Sequence, residues 1–149
     1  MTGSGPAGWR HDLSSFGIAD LVGNIWEWVG GLKIVDGAIK MPADNYYGQD
    51  DSSWADQDAT ITDADPWSSG GVTLGGSADA ALLKAALLDP ATVSDQANGR
   101  LYVNESGEGV PRRGGSWSIG SFAGLAALHL GSTRSASGGG LGFRPAFVA

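Results

Sequence analysis

The chain has 149 residues, 25 of them glycine, and a net charge of −7, which predicts a single loop-rich domain over residues 1–149 with a core of its own. It contains no cysteine, which excludes disulfides, thiolate metal sites and a cysteine nucleophile. It also has no run of about 18 apolar residues, so we expect no membrane insertion. The acidic balance argues against a nucleic-acid partner.

The N-terminal stretch MTGSGPAGW has neither the basic nor the apolar region of a signal peptide, so we expect none here. Its GSGPAG segment is typical of a flexible linker, and we expect it to join this domain, as a C-terminal domain, to a longer protein. Apolar residues then repeat at three and four positions between Ile18 and Trp26, which predicts a short helix or turn before an extended segment. A strand, a turn at Asp36–Gly37 and a returning strand are predicted next, because Asp-Gly is a strong hairpin signal.

The middle of the chain, from Pro42 to Gly76, contains seven aspartates and neither lysine nor arginine. Its length and polarity predict an ordered insertion loop held by Trp54 and Trp67. The aspartate cluster DQDATITDAD lacks the glycine and glutamate of an EF-hand loop, so we interpret it as a solvated acidic loop. The following SADAALLKAALLDP predicts the clearest helix, which Ser77 caps and Pro90 ends.

The last third of the chain predicts short strands separated by glycine-rich loops. We expect strands at Leu101–Val103, around Ser116–Ser118, within GLAALHL and in the closing LGFRPAFVA, with a loop at GSTRSASGGG. Residues 1–99 carry 4 basic and 14 acidic side chains, whereas residues 100–149 carry 5 basic and 2 acidic ones. We therefore expect the two halves to pair electrostatically within one fold. Strands combined with one or two helices predict an α+β fold class.

Two stretches, GIADLVGNIWEW and RGGSW…LGFRPA, resemble the paired signatures of the formylglycine-generating-enzyme (sulfatase-modifying factor) branch of the C-type lectin fold. The two stretches cover both ends of the chain and leave the acidic middle without a counterpart. The resemblance implies an α+β, C-type lectin-like fold with short strands, one or two helices and long loops.

The enzymes of that family hold copper with two cysteines just after R-G-G-S-W, at positions near Ile119 and Gly124 of this chain. Neither position is cysteine, and the copper chemistry needs a soft thiolate donor. The related sulfoxide synthases bind iron through histidines, whereas this chain has only His11 and His129. We therefore expect no enzyme activity and no catalytic residue. An enzyme of either type with altered chemistry is the alternative, and a purely structural domain is a third reading.

The same motifs resemble the non-enzymatic branch, the variable proteins of diversity-generating retroelements, which include phage receptor-binding tail proteins. In these the segment from R-G-G-S-W to G-F-R, about residues 112–144 here, is hypervariable because template adenines, mostly in Asn codons, are copied with errors. Residues that such copying of an AAC codon produces stand at Ser118, Ile119, Phe122, His129, Gly131, Ser132, Ala136, Gly138, Gly139 and Gly140. The alternative is a Gly/Ser-rich surface loop without this history.

The resemblance implies a ligand-binding module whose partner is a protein or glycan on a cell surface. It places the chain in a virion tail fibre, at a cell surface or in a secreted form, as part of a larger assembly. Loops on a rigid scaffold suit this role, because their side chains can change while the fold persists. By size, Ile119, Phe122 and His129 are the expected contact anchors. The scaffold side chains expected to be buried are Trp26, Trp28, Trp117 and Phe143.

The enzyme branch also binds structural calcium in the segment that matches DLVGNIWE. The resemblance implies side-chain ligands at Asp20 and Glu27 and carbonyl ligands at Gly23 and Ile25, which are the hard oxygen donors that calcium prefers. The alternative is that Asp20 caps the local turn and that Glu27 pairs with an arginine such as Arg144. We expect no other cofactor.

Overall fold

The computed structural model describes residues 6–7, 10, 12–19, 22–43, 46, 48–63, 72–76 and 101–143, which contain two five-stranded β-sheets. In chain order the strands are β1 (Trp26–Trp28), β2 (Lys33–Val35), β3 (Ala38–Met41), β4 (Ala55–Asp63), β5 (Val72–Gly76), β6 (Leu101–Val103), β7 (Glu108–Gly109), β8 (Arg112–Gly114), β9 (Gly124–Leu130) and β10 (Leu141–Gly142). The first sheet has the order β10-β1-β8-β9-β6, and the second has the order β5-β4-β3-β2-β7.

The α+β fold class predicted from the sequence is wrong. The described residues are mostly β-sheet, and their named helical segments are the three-residue 3-10 helices Asp51–Ser53 and Gly120–Phe122. The helix predicted from Ser77 to Pro90 lies outside the described residues. Before β1 the described residues form turns and bends, which agrees with the turn predicted there. No helix in the described part of the chain combines the length and apolar character that crossing a bilayer requires.

The hairpin predicted at Asp36–Gly37 is confirmed. Strands β2 and β3 pair antiparallel with Val35 opposite Ala38. Both turn residues have positive φ, 48° at Asp36 and 81° at Gly37, which is the backbone conformation that a two-residue hairpin turn of this kind needs. The segment WEW, which lies before this hairpin in the chain, forms β1 in the other sheet.

The prediction of an insertion loop from Pro42 to Gly76 is wrong for the segments Ala55–Asp63 and Val72–Gly76. These segments form β4 and β5, which pair antiparallel in the second sheet. Ala59 and Ile61 are buried, while their neighbours Asp58 and Thr60 are exposed. This alternation is the pattern of a strand with one buried face, and the aspartates on the other face conceal it in a sequence. Trp54 holds the preceding turn as predicted, since its Nε1 donates to the carbonyl oxygen of Gln49 at 3.3 Å. Trp67 lies outside the described residues.

The strands predicted at Leu101–Val103 and within GLAALHL are confirmed as β6 and β9, but the strand predicted around Ser116–Ser118 is wrong. Strand β8 ends at Gly114, and the chain turns there because Gly114 and Gly115 have φ of 88° and 87°, which side-chain-bearing residues rarely adopt. Of the predicted closing strand, Leu141–Gly142 forms β10. Residues 144–149 lie outside the described part.

The core joins the two sheets. It contains Leu32, Ile34, Ile39, Ala59 and Ile61 from the second sheet and its approaches, and Leu101, Val103, Leu128 and Leu130 from the first. A fully buried side chain of this kind stabilises the fold by about 1.5–3 kcal/mol. The sheets approach closely where a Cβ on Gly109 would overlap the carbonyl oxygen of Leu130, so glycine is required there.

Within the described residues, the expected electrostatic pairing between the two halves of the chain occurs at an ion-pair network. The Nζ of the buried Lys33 lies 3.6 Å from a carboxylate oxygen of Glu108 and 3.8 Å from one of Asp51. Arg134 pairs with the same two carboxylates. The network fixes the loop that follows β9 to the second sheet.

Candidate functional site

The described parts of the two stretches that carry the resemblance are neighbours in the first sheet. Strand β1 lies between β8 and β10, with Glu27 opposite Arg113 on one side and Trp26 opposite Leu141 on the other. All ten candidate variable positions lie in the chain between β8 and β10, on the connections and on β9. The sheet therefore provides one scaffold for the whole candidate surface.

The first group of candidate positions lies on the turn between β8 and β9. Ser118 is exposed there, and Ile119 and Phe122 are half-buried. The turn is attached to the segment before β1 by a backbone hydrogen bond in which the Trp117 N–H donates to the Asn24 carbonyl at 3.0 Å. Because main-chain atoms make this attachment, the attachment itself does not depend on which side chains the turn carries.

A second group lies on the loop between β9 and β10. Gly138 and Gly139 are exposed, and a Cβ at either would meet no atom within 4 Å. Ala136 is half-buried. Gly140 is more confined, because its Cβ would lie 3.3 Å from the Cβ of Ser116. Gly138 and Gly139 can therefore accept a side chain without rearrangement, whereas Gly140 requires its neighbour to shift.

His129, expected as a contact anchor on the variable face, is half-buried and lies in a packed cluster. In strand β9 it alternates with the core residues Leu128 and Leu130, which places it on the face of the sheet opposite the core. Its ring stacks on Tyr102 with 4.3 Å between ring centroids and meets Trp26 edge-on at 5.6 Å. We call Trp26, Trp28, Tyr102, Arg112 and His129 the aromatic–arginine cluster.

The hydrogen bonds around His129 define its tautomer. The N–H of Gly131 donates to Nδ1 at 3.1 Å, so neutral His129 carries its proton on Nε2. Nη2 of Arg112 lies 3.0 Å from both ring nitrogens, and in this tautomer it can donate only to Nδ1. Burial, and secondly the positive charge of Arg112, lower the pKa of His129 to about 3. The ring is therefore neutral at pH 7.

Arg112 is the centre of the aromatic–arginine cluster. It is 8% exposed, and its guanidinium carbon lies 5.7 Å from the Trp26 ring and 5.4 Å from the Trp28 ring. Its Nη2 also donates to the hydroxyl of Ser132 at 2.7 Å. Burial lowers the pKa of Arg112 from its ordinary value. Cation–π contact with two rings compensates part of the cost of burying this charge.

Gly131 and Ser132, two further candidate variable positions, pack against the same cluster. A Cβ on Gly131 would overlap the ring of Tyr102. Ser132 accepts from Arg112 through its hydroxyl and from the Val110 N–H through its carbonyl, at 2.9 Å. Sequence reasoning missed this role, although the alternating pattern Leu-His-Leu in β9 was a signal that His129 faces away from its apolar neighbours.

The burial expected for four scaffold aromatics is only partly correct. Trp26 is 6% exposed, as expected, and Trp28 is half-buried. Trp117 and Phe143 are 73% and 75% exposed, which contradicts the prediction. Trp117 follows the two glycines at which the chain leaves the sheet, so its side chain is no longer held between strands. Phe143 directly follows β10, whose two residues are themselves only half-buried.

The predicted calcium site lies only partly within the described residues, because Asp20 is outside them. Gly23 has φ of 80° and donates its N–H to the Gly114 carbonyl at 3.0 Å, Ile25 precedes β1, and Glu27 is the central residue of that strand. Among the described residues, no three histidine or acidic side chains are grouped to hold a metal ion. Calcium binding therefore stays a prediction.

Comparison with known proteins assigns no family to the chain: no family model matches it, and no curated protein matches it. Its function has to be inferred from its residues and their arrangement.

Proposed function

We propose that the chain is a ligand-binding module whose loop surface is hypervariable through a diversity-generating retroelement. Its partner is a protein or glycan on a cell surface, and its location is a phage tail fibre or another surface assembly. One observation carries the proposal. Residues that adenine substitution in an AAC codon produces occupy loops, and main-chain hydrogen bonds attach the backbone of these loops to the rest of the fold.

These attachments lie at each end of the candidate surface. The Trp117 N–H donates to the Asn24 carbonyl at 3.0 Å, and the Trp26 N–H donates to the Gly140 carbonyl at 2.8 Å. Within the second loop, the Leu141 N–H donates to the Gly138 carbonyl at 3.1 Å. A surface that must accept many side chains needs a backbone whose N–H and C=O groups form hydrogen bonds with other backbone groups. Such hydrogen bonds persist when any side chain is replaced, except when proline removes the N–H.

The geometry divides the ten candidate positions into two sets. The six that supply the binding surface are Ser118, Ile119, Phe122, Ala136, Gly138 and Gly139. Ile119 and Phe122 are the largest of these and are the contact anchors, because large apolar side chains contribute most of the energy in interfaces. The four that contact the scaffold are His129, Gly131, Ser132 and Gly140, where a substitution changes packing as well as the surface.

The decisive test of the origin of this surface is the DNA around the gene. We expect a second, near-identical copy of the DNA that encodes Gly114–Arg144, next to a gene for a reverse transcriptase. The two copies should differ only where the second has adenine. Flanking DNA without such a repeat, or a repeat whose differences fall at other bases, contradicts the proposal.

A paired display experiment tests the division of positions. One library randomises Ser118, Ile119, Phe122, Gly138 and Gly139, and a matched library of equal size randomises His129, Gly131, Ser132 and Gly140. We expect most members of the first library to be folded, as judged by resistance to protease on the display particle, and fewer of the second. Equal resistance of the two libraries contradicts the division.

A further inference from the structure

Arg112 differs in its surroundings from Lys33, which is also a buried cation in the described part of the chain. Lys33 lies between the carboxylates of Asp51 and Glu108. No carboxylate of the described residues lies within 4 Å of the Arg112 guanidinium, although the residue is only 8% exposed. Burying a cation without an anion is costly, so the burial of the Arg112 guanidinium indicates an anionic partner.

One edge of the guanidinium is incompletely used. Nη2 donates to the Ser132 hydroxyl at 2.7 Å, while Nε is buried and has no hydrogen-bond partner. Nε and Nη2 share the edge with which an arginine holds both oxygens of one carboxylate. The Ser132 hydroxyl therefore occupies one of two adjacent acceptor positions, and Nε has no acceptor.

We propose that this edge of Arg112 binds a carboxylate group of the ligand, with one oxygen on Nε and the other on Nη2 in place of the Ser132 hydroxyl. The proposal deepens the proposed binding function by naming the chemical class that the site recognises. Rotation of the Ser132 side chain about χ1 frees Nη2, and Ser132 is half-buried at the start of the loop that follows β9.

Trp26 and Trp28 contact the guanidinium of Arg112 through their rings. Their rings lie 5.7 Å and 5.4 Å from the guanidinium carbon and shield it from water, which strengthens a hydrogen-bonded ion pair. His129, neutral at pH 7, adds no competing positive charge.

Position 132 controls whether the site is open. Adenine substitution in an AAC codon also produces aspartate. An aspartate at position 132 places an internal carboxylate next to Nε and Nη2 of Arg112 and closes the site. Asparagine is nearly the same size but carries no charge, so Ser132→Asp and Ser132→Asn form a matched pair of variants.

The test is a titration of the ¹⁵N-labelled protein with sodium acetate, with sodium chloride at equal ionic strength as the control. We expect the Arg112 Nε–H signal and the indole N–H signals of Trp26 and Trp28 to shift saturably with acetate and not with chloride. The acetate affinity should fall at least tenfold in Ser132→Asp and stay within about threefold in Ser132→Asn. A tenfold loss is about 1.4 kcal/mol, which is close to the value of one hydrogen bond to a charged group.

Two results overturn the proposal. If acetate and chloride shift the three signals equally, Arg112 is a structural cation stacked between tryptophans. If acetate binds Ser132→Asp as well as the wild type, the carboxylate binds elsewhere. Neither result bears on the origin of the variable surface, which the flanking DNA and the two libraries test separately.

Discussion

We expect acid to destabilise this protein through His129, in a pH range that follows from the depressed pKa of this residue. Packing between Tyr102, Trp26 and Arg112 depresses the folded-state pKa of His129 from 6.5 to about 3. As the pH falls below 6.5, the unfolded chain therefore takes up a proton at this residue while the folded chain stays neutral. The stability contributed by the neutral ring is fully present above pH 6.5 and is lost progressively as the pH falls toward 3.

The expected loss is large enough to measure. For a pKa of 6.5 in the unfolded state and about 3 in the folded state, lowering the pH from 7 to 5 reduces the free energy of unfolding by about 2 kcal/mol. Urea denaturation followed by tryptophan fluorescence at pH 7, 6 and 5 gives this quantity directly. The matched control is His129→Asn, whose Oδ1 can still accept from the Gly131 N–H but does not titrate.

The comparison of the two proteins isolates His129, because His11 and every carboxylate are common to both. We expect the free energy of unfolding of the wild type to fall about 2 kcal/mol more than that of His129→Asn over this range. If the two proteins lose the same stability within about 0.5 kcal/mol, which is the level of an ordinary surface effect, then His129 is solvated and the account of the aromatic–arginine cluster is wrong.

The sequence predicted a turn that depends on its own two residues. It did not predict a strand whose buried residues alternate with aspartates. Asp36–Gly37 forms the predicted hairpin because its conformation depends on those two residues alone. Strand β4 was missed because its aspartates raise the polarity of a segment whose alternate residues, Ala59 and Ile61, are buried. The buried face of this strand belongs to a core that includes Leu101 and Leu128, and these residues are distant from it in sequence.

The candidate site could be located from motifs, but the role of each position could not. The two signature stretches do meet in one sheet, at β1, β8 and β10. The environment of His129 depends on Arg112 and Tyr102, which lie opposite it on β8 and β6. Trp117 shows the opposite error: it was expected to be buried, but it is exposed because two glycines turn the chain out of the sheet just before it.

The remaining predictions concern two tryptophans, a metal ion and two glycines. Trp117→Ala should change the free energy of unfolding by less than about 1 kcal/mol because the side chain is exposed, whereas Trp26→Ala should cost about 3–5 kcal/mol; equal losses in urea denaturation would show that Trp117 packs against the fold. If the predicted calcium site exists, excess chelator should lower the melting temperature and added calcium should restore it, because an ion that binds only the folded state stabilises it; an unchanged melting curve removes the site. Gly131→Ala should destabilise by more than 1 kcal/mol, since its Cβ would overlap the Tyr102 ring and overpacking of this kind costs about 1–3 kcal/mol. Gly138→Ala, on the same loop, adds a Cβ that meets no atom within 4 Å, so its melting temperature should match the wild type. If both alanine variants melt together, position 131 is as free to vary as position 138, and the division of the surface into free and packed positions fails.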